Sequence, residues 1–190
     1  MSCPRIVLAS ASPRRRELLA KAGVEFTVDA SSAAESSEAG EGLASLVLAN
    51  ARAKALEVAA RHPGAVVIGA DTLVWMDGRP LGKPSNKDEA REMLEALSGR
   101  VHEVATGVHL VRLEPRRHAE FHEVTRVRFR RLDDRAIGGY LAKVDVLDKA
   151  GAYALQEFGD LLVESLEGSR SNVVGLPVTR TLAALERFAG

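Results

Sequence analysis

Residues 6–16 read IVLASASPRRR, and this stretch decides the class of fold. Its first four residues are aliphatic or small, which predicts a short strand. Ser12 is a preferred N-cap residue and Pro13 suits the first position of a helix, so a helix should begin here and end near Gly23. A strand that passes through a tight turn into a helix is typical of an α/β fold.

The remaining segments continue this alternation of strands and helices. Strands are predicted at 25–29, 65–68, 73–76, 101–113, 121–132 and 161–166, helices at 43–61, 86–97 and 133–143 and after Pro177, and a hairpin turn at Asp77-Gly78. Asp71 is expected just beyond the carboxyl end of strand 65–68. We therefore predict one domain, residues 1–190, with an α/β fold and a mixed, partly antiparallel twisted sheet flanked by helices.

The charge composition limits the partners of the chain. Lys plus Arg number 26 and Asp plus Glu also number 26, so no long-range field gathers a polyanion or an acidic membrane surface. We predict neither nucleic acid nor membrane among its partners. A bound anion must then be held locally.

The cysteine count and the hydropathy pattern predict a cytoplasmic protein. Cys3 is the only cysteine, which excludes an intrachain disulfide and fits a reducing compartment. No segment approaches the roughly 20 apolar residues of a membrane-spanning helix. The chain also lacks the Gly-rich loop of the P-loop enzymes and the dinucleotide-binding glycine motif.

Several basic residues are candidates for binding phosphate. Arg14, Arg15 and Arg16 occupy the first turn of a helix, where the helix dipole disfavours cations unless an anion is bound nearby. Arg15 lies on the side of the helix that should face inward, and Lys54 lies on the apolar stripe of the long helix. The alternatives are solvated arginines and a lysine whose ammonium reaches water.

Asp71 and Thr72 are candidates for the chemistry itself. A carboxylate in this place could bind a hard divalent cation and orient or deprotonate an attacking water, although it could also cap a turn. Lys83 lies between Gly82 and Pro84, which suits a lysine that reaches over a phosphate and equally an ordinary loop. Gln156 follows a run of small residues and offers both a donor and an acceptor to a pyrimidine ring, or lies on the surface.

Five blocks of the sequence together resemble the Maf family: LASASPRR at 8–15, IGADT at 68–72, GKP at 82–84, SGRVH at 98–102 and DKAGAY at 148–153. They follow one another across almost the whole chain. The resemblance implies two lobes around a central cleft, as in the inosine-triphosphate pyrophosphatases, and a homodimer. It also implies hydrolysis of a nucleoside triphosphate to the monophosphate and pyrophosphate.

The resemblance also assigns roles to residues. Asp71 matches the proton acceptor of the family, with Lys54 and Lys83 as further catalytic residues and Mg²⁺ or Mn²⁺ as the cofactor. The predicted substrate-binding residues are Ser10, Arg14, Arg15, Thr72, Lys149 and Gln156. The form of the block that contains Gln156 is similar to the branch of the family that acts on dTTP and UTP.

Two departures from the family pattern bear on these predictions. The loop after the second strand reads Ala33-Ala34-Glu35, where the family has adjacent acidic residues, so Glu35 alone is the second predicted metal ligand. Glu157 follows Gln156, where the family often has glycine, and a carboxylate there could alter the base preference.

Three other functions are consistent with the sequence. The substrate could be a modified purine triphosphate, or the chain could be a nucleotide-binding regulator of septum formation with little turnover. Nucleic-acid binding through the basic hairpin 112–131 is disfavoured by the zero net charge and by the glutamates of that hairpin.

Overall fold

A computed structural model of the chain describes residues 4–36 and 42–188, and it has the α/β fold that the sequence predicts. The strands are β1 (Ile6–Leu8), β2 (Thr27–Val28), β3 (Val66–Met76), β4 (Arg79–Leu81), β5 (Val101–Arg112), β6 (Arg117–Phe129) and β7 (Val163–Glu167). The helices are α1 (Pro13–Lys21), α2 (Leu43–Ala59), α3 (Lys87–Leu97), α4 (Asp134–Leu141), α5 (Arg170–Val174) and α6 (Val178–Glu186), with single 3₁₀ turns at Ala150–Ala152 and Gly159–Leu161. Cys3 lies outside the described residues.

The strands form one mixed sheet in the order β2-β1-β3-β5-β6-β7, with β4 paired to β3. β1 runs parallel to β2 and β3, whereas β5, β6 and β7 are antiparallel to their neighbours. On the edge of β3 that faces away from β5, β1 pairs only as far as Ile68 and β4 pairs only from Val74 onward. No strand among the described residues therefore pairs with 69–73 on that edge. This gap in the sheet edge positions the site described below.

Polar side chains cap the starts of α1, α3 and α4. The Ser12 side chain accepts a hydrogen bond from the Arg15 N–H at the start of α1, with Pro13 at the first helical position. Asn86 and Asp133 cap α3 and α4 in the same way. Asp77 and Gly78 have φ values of 53° and 78°, as the two central residues of a tight hairpin turn require.

The structure corrects four predictions about the elements. Asp71 does not follow the end of a strand but lies in the middle of β3, because Gly69–Trp75 continue to pair with β5. β2 spans two residues instead of five, and β6 begins at Arg117 instead of Phe121 because the strand continues into the charged turn. The short helix α5 was not predicted.

Two of the three hydrophobic cores among the described residues lie at opposite ends of β3 and β5 on one face of the sheet, and the third packs α2 against the other face. Of the first two, one contains Val74, Val104 and residues of α3 and α4, and the other contains Ile68, Leu110 and residues of α1 and α6. The polar pair Thr72 and Thr106 lies between them in the register of the two strands.

Helix α2 lies unusually close to the opposite face of the sheet. A Cβ atom added to Gly69 would lie 2.2 Å from the Ala51 carbonyl oxygen, and one added to Gly107 would lie 2.4 Å from the Val47 carbonyl oxygen. Only glycine allows this approach, which brings the inward side chains of α2 against the centre of β3.

Candidate active site

The gap in the edge of β3 opens into a cleft with a volume of about 370 Å³. All ten residues that the sequence identified line it: Ser10, Arg14, Arg15, Glu35, Lys54, Asp71, Thr72, Lys83, Lys149 and Gln156. Among the described lining residues, five are cationic and three are carboxylates. The cleft of this electrically neutral chain therefore favours an anion locally.

Asp71 is the most enclosed ionisable group of the cleft, with 4% of its surface exposed. Lys54 Nζ donates to its Oδ1 at 2.7 Å and Asn50 Nδ2 donates to its Oδ2 at 3.0 Å. Both partners come from α2, whose close packing on Gly69 brings them to β3. The carboxylate is thus held in one orientation by two rigid elements.

Glu35 completes a chain of charges with Lys54 and Asp71. Its Oε1 accepts from Lys54 Nζ at 2.5 Å, so oxygens of two carboxylates converge on one cationic position. Mg²⁺ prefers oxygen ligands and is commonly bound by one or two carboxylates together with substrate phosphates. The donor set fits such an ion, although no group of three or more His, Cys, Asp or Glu side chains in 4–36 and 42–188 could hold a metal.

Arg15 lies on the other side of β3, as its inward position in α1 predicts. Its guanidinium donates to the Gly175 carbonyl at 2.8 Å, to Thr72 Oγ1 at 2.9 Å and to Ser10 Oγ at 3.1 Å. Burial lowers its pKa, and the charges of Asp71 and Glu35 oppose that effect. Three of its five N–H groups are therefore engaged within the protein, and two remain for a ligand.

Because side chains alternate along a strand, Asp71 faces α2 whereas Thr72 faces Arg15 and Thr106. Both reach the cleft because the edge of β3 is open at this point. The cleft thus has a carboxylate side and a hydroxyl side.

Arg14 and Lys149 belong to a cluster of alternating charges at the opposite wall. Asp148 lies 3.6 Å from Arg14 and 2.7 Å from Lys149, and Glu157 lies 3.9 Å and 3.3 Å from the same two cations. Burial opposes ionisation of Asp148, but Lys149 and Arg14 lower its pKa overall. Glu157, the departure from the family pattern, therefore pairs with the two substrate-binding candidates of this wall.

Lys83 and Gln156 are both exposed at the cleft. Lys83 forms no hydrogen bond or ion pair with the residues that the structure describes, so its ammonium is available to a ligand. Gln156 lies near Glu17 and contributes, after the larger effect of Lys21, to lowering the pKa of that carboxyl.

Tyr153, which lines the cleft, belongs to a buried aromatic cluster. His102 Nε2 lies 2.8 Å from the Tyr153 hydroxyl, and both rings stack edge-on against Phe129. Burial lowers the pKa of His102 to about 4 and raises that of Tyr153. His102 is therefore neutral near pH 7 and supports the cleft wall through Tyr153.

Sequence reasoning did not identify three residues of the hydroxyl side, Thr106, Asn172 and Gly175. Thr106 Oγ1 lies 2.9 Å from Thr72 Oγ1 and donates to the Asn172 carbonyl at 2.9 Å. Thr106 lies on β5 between the inward apolar residues Val104 and Val108, and this local contrast was the available signal. Asn172 and Gly175 belong to the unpredicted α5 segment.

Comparison with known proteins identifies the family of the chain. Residues 5–188 match the family model for Maf-like proteins. The chain belongs to the Maf family. This Maf chain is 52% identical over 183 residues to a protein of Myxococcus xanthus (strain DK1622) named dTTP/UTP pyrophosphatase, covering 96% of the chain and 91% of that relative. It is 46% identical over 182 residues to one of the same name from Akkermansia muciniphila, covering 96% and 95%.

The described helices of this Maf chain are too short or too polar to span a bilayer. None of those within 4–36 and 42–188 combines the length and the apolar composition that crossing a membrane requires.

Proposed function

We propose that this Maf chain hydrolyses dTTP and UTP to the nucleoside monophosphate and pyrophosphate. The observation that carries the proposal is the buried Asp71 carboxylate, fixed by Lys54 and Asn50 in the wall of a cation-lined cleft. The dTTP/UTP pyrophosphatase name of relatives that cover nearly the whole chain supports the choice of substrate.

In this proposal the triphosphate lies along the cationic part of the cleft. Lys83, the free N–H groups of Arg15 and the N-terminal turn of α1 bind phosphate oxygens, together with Arg14 and Lys149. Their charges stabilise the negative charge that develops on the leaving pyrophosphate. Most of the rate enhancement is then electrostatic.

Asp71 is proposed as the group that orients and deprotonates the attacking water. The water oxygen bonds to the α-phosphorus, its proton passes to the carboxylate, and the bond between the α-phosphorus and the bridging oxygen breaks. Lys54, 2.7 Å from Asp71, balances the carboxylate before the reaction and can then contact a phosphate oxygen.

A divalent cation fits this arrangement. We propose that Asp71 and Glu35 hold Mg²⁺ or Mn²⁺ together with phosphate oxygens, because their carboxylate oxygens already converge on the Lys54 ammonium. When bound, such an ion supplies Lewis-acid stabilisation of phosphate charge.

The base is assigned to the hydroxyl side of the cleft. Val74 and Val104 lie on the same face of the sheet as Thr72, and together with Val173 and Tyr153 they provide apolar lining on this side, where Arg15 is the cation in contact with Thr72. A flat pyrimidine fits the apolar end. Gln156 lies on the same wall segment as Tyr153 and can donate to and accept from its edge.

The test is pyrophosphate release from dTTP, UTP, CTP, GTP, methylated GTP and inosine triphosphate with Mg²⁺ or Mn²⁺. We expect selective release from dTTP and UTP, lowered by roughly 10²-fold or more in Asp71→Asn. Asp160→Asn, an exposed carboxylate outside the cleft, is the matched control and should retain activity. Release from all six nucleotides alike, or full activity of Asp71→Asn, would contradict the proposal.

We also propose a homodimer in the cytoplasm. Leu73, Ala105 and Val124 are paired across three strands; Val124 is 39% exposed and Leu73 and Trp75 are half-buried, whereas Ala105 between them is buried. A second copy that covers this sheet face would remove its apolar surface from water. Sedimentation of Val124→Glu should show a monomer where the unmodified chain sediments as a dimer. A single cysteine suits the reducing cytoplasm.

A further inference from the structure

The hydroxyl groups of Thr72 and Thr106 form a directional chain of hydrogen bonds behind the cleft. Thr106 is fully buried, and Thr72 is half-buried where it lines the cleft. Their Oγ1 atoms lie 2.9 Å apart. A hydroxyl has one proton, so the partners of each oxygen determine which of the two donates.

The acceptor beyond Thr106 sets this direction. Thr106 Oγ1 donates to the Asn172 carbonyl at 2.9 Å, and a carbonyl can only accept. The Asn172 side chain donates to the Val104 carbonyl and to Thr125 Oγ1, each at 2.9 Å, so α5 holds this carbonyl in place. With its proton used, Thr106 can only accept from Thr72.

The Arg15 guanidinium fixes the other end of the chain. It donates to Thr72 Oγ1 at 2.9 Å. Thr72 therefore receives one proton from Arg15 and gives its own to Thr106. One lone pair of Thr72 Oγ1 remains.

If the chain of hydrogen bonds ran in the opposite direction, a short hydrogen bond would be lost. If Thr106 donated to Thr72, its bond to the Asn172 carbonyl would be lost, and the Thr72 proton would turn to the Gly175 carbonyl at 3.4 Å. That carbonyl already accepts from Arg15 at 2.8 Å. The arrangement in which Thr72 donates to Thr106 has three hydrogen bonds of 2.9 Å. It is more stable than this alternative, because hydrogen bonds weaken beyond about 3.2 Å.

We propose that Thr106 is a specificity-positioning residue, which takes the proton of Thr72 so that Thr72 presents only an acceptor to the nucleobase. The inference rests on the proposed function for the placement of a base beside Thr72. The ring N–H of uracil or thymine satisfies an acceptor. The corresponding nitrogen of cytosine is itself an acceptor, so two lone pairs would face each other and cytosine nucleotides would be rejected.

The test is the affinity of the protein for UMP and CMP, measured by calorimetry without turnover. The unmodified protein should bind UMP more tightly than CMP. Thr106→Val removes the acceptor for the Thr72 proton while it keeps the side-chain shape, so Thr72 can donate to cytosine and the preference should fall about tenfold. Thr106→Ser retains the hydroxyl and is the matched control, with the preference maintained.

Three results would overturn the inference. They are equal affinity of the unmodified protein for UMP and CMP, an unchanged preference in folded Thr106→Val, and loss of the preference in Thr106→Ser. The first needs no variant, so the test does not depend on the folding of Thr106→Val. Failure of the proposed function is a separate result, since it is read from the release of pyrophosphate from dTTP and UTP.

Discussion

The substitution Gly69→Ala tests whether the close packing of α2 on the sheet positions the catalytic groups. The new Cβ would lie 2.2 Å from the Ala51 carbonyl oxygen and 2.7 Å from the Ala55 nitrogen. Ordinary contacts begin near 3.4 Å, so α2 must move away from β3 by about 1 Å. Both obstructing atoms belong to the helix backbone, which a side-chain rotation cannot relieve.

The displacement has consequences for stability and for activity. Overpacking of this kind costs about 1–3 kcal/mol in the free energy of unfolding. α2 also carries Asn50 and Lys54, which hold the Asp71 carboxylate at 3.0 Å and 2.7 Å. Because a misplacement of about 1 Å can lower turnover roughly 10²-fold, kcat/KM should fall by about that factor.

Urea unfolding and pyrophosphate release from dTTP measure the two effects in the same preparation. Gly139→Ala is the matched control, since Gly139 is an exposed residue of α4 and its added Cβ meets no atom within 4 Å. The control should keep full activity and gain up to about 1 kcal/mol of stability. The reasoning fails if Gly69→Ala unfolds at the same urea concentration as the unmodified protein and turns over at the same rate.

Three further predictions concern ionisable groups. In the unfolded chain His102 has its ordinary pKa of 6.5, whereas in the folded protein its pKa is about 4. As the pH falls from 6.5 to 4, the free energy of unfolding should therefore decrease by up to about 3 kcal/mol. Urea titrations of His102→Gln, which can still contact Tyr153, should lack this pH dependence. Lys54→Met should destabilise the protein by about 3–5 kcal/mol because it leaves the Asp71 carboxylate buried without its cation, and thermal unfolding of Lys54→Met/Asp71→Asn should recover part of the loss. Glu35→Gln should raise the Mg²⁺ concentration for half-maximal activity at least about tenfold, and an unchanged Mg²⁺ titration would exclude Glu35 as a ligand.

The sequence predicted those parts of the fold that depend on neighbouring residues. Ser12 and Pro13 identified the start of α1, and Asp77-Gly78 identified the hairpin, because capping and tight turns are local. The inward positions of Arg15 and Lys54 followed from helical spacing. These are also the site residues whose surroundings the sequence described best.

The sequence could not show how long a strand continues when its pairing partner is distant. Gly69 and Ala70 suggested that the strand ended there, but β3 continues because β5 pairs with it as far as Trp75. The paired residues lie from 40 positions apart at Gly69 and His109 to 28 positions apart at Trp75 and Glu103. The bond between Arg15 and the Gly175 carbonyl joins residues separated by 160 positions. No local pattern indicates such a bond, and the same is true of the ion pairs that Glu157 forms with Arg14 and Lys149.

The alternation of side chains along β3 has a consequence for protein engineering. The carboxylate that would perform hydrolysis and the hydroxyl that would recognise the base are consecutive residues on opposite faces of one strand. A library that varies positions 72, 74, 104 and 106 changes only one face of the sheet and leaves the surroundings of Asp71 intact. Substrate preference could therefore be altered without reconstruction of the hydrolytic machinery, whereas a one-residue shift in the register of β3 would exchange the two faces and destroy both.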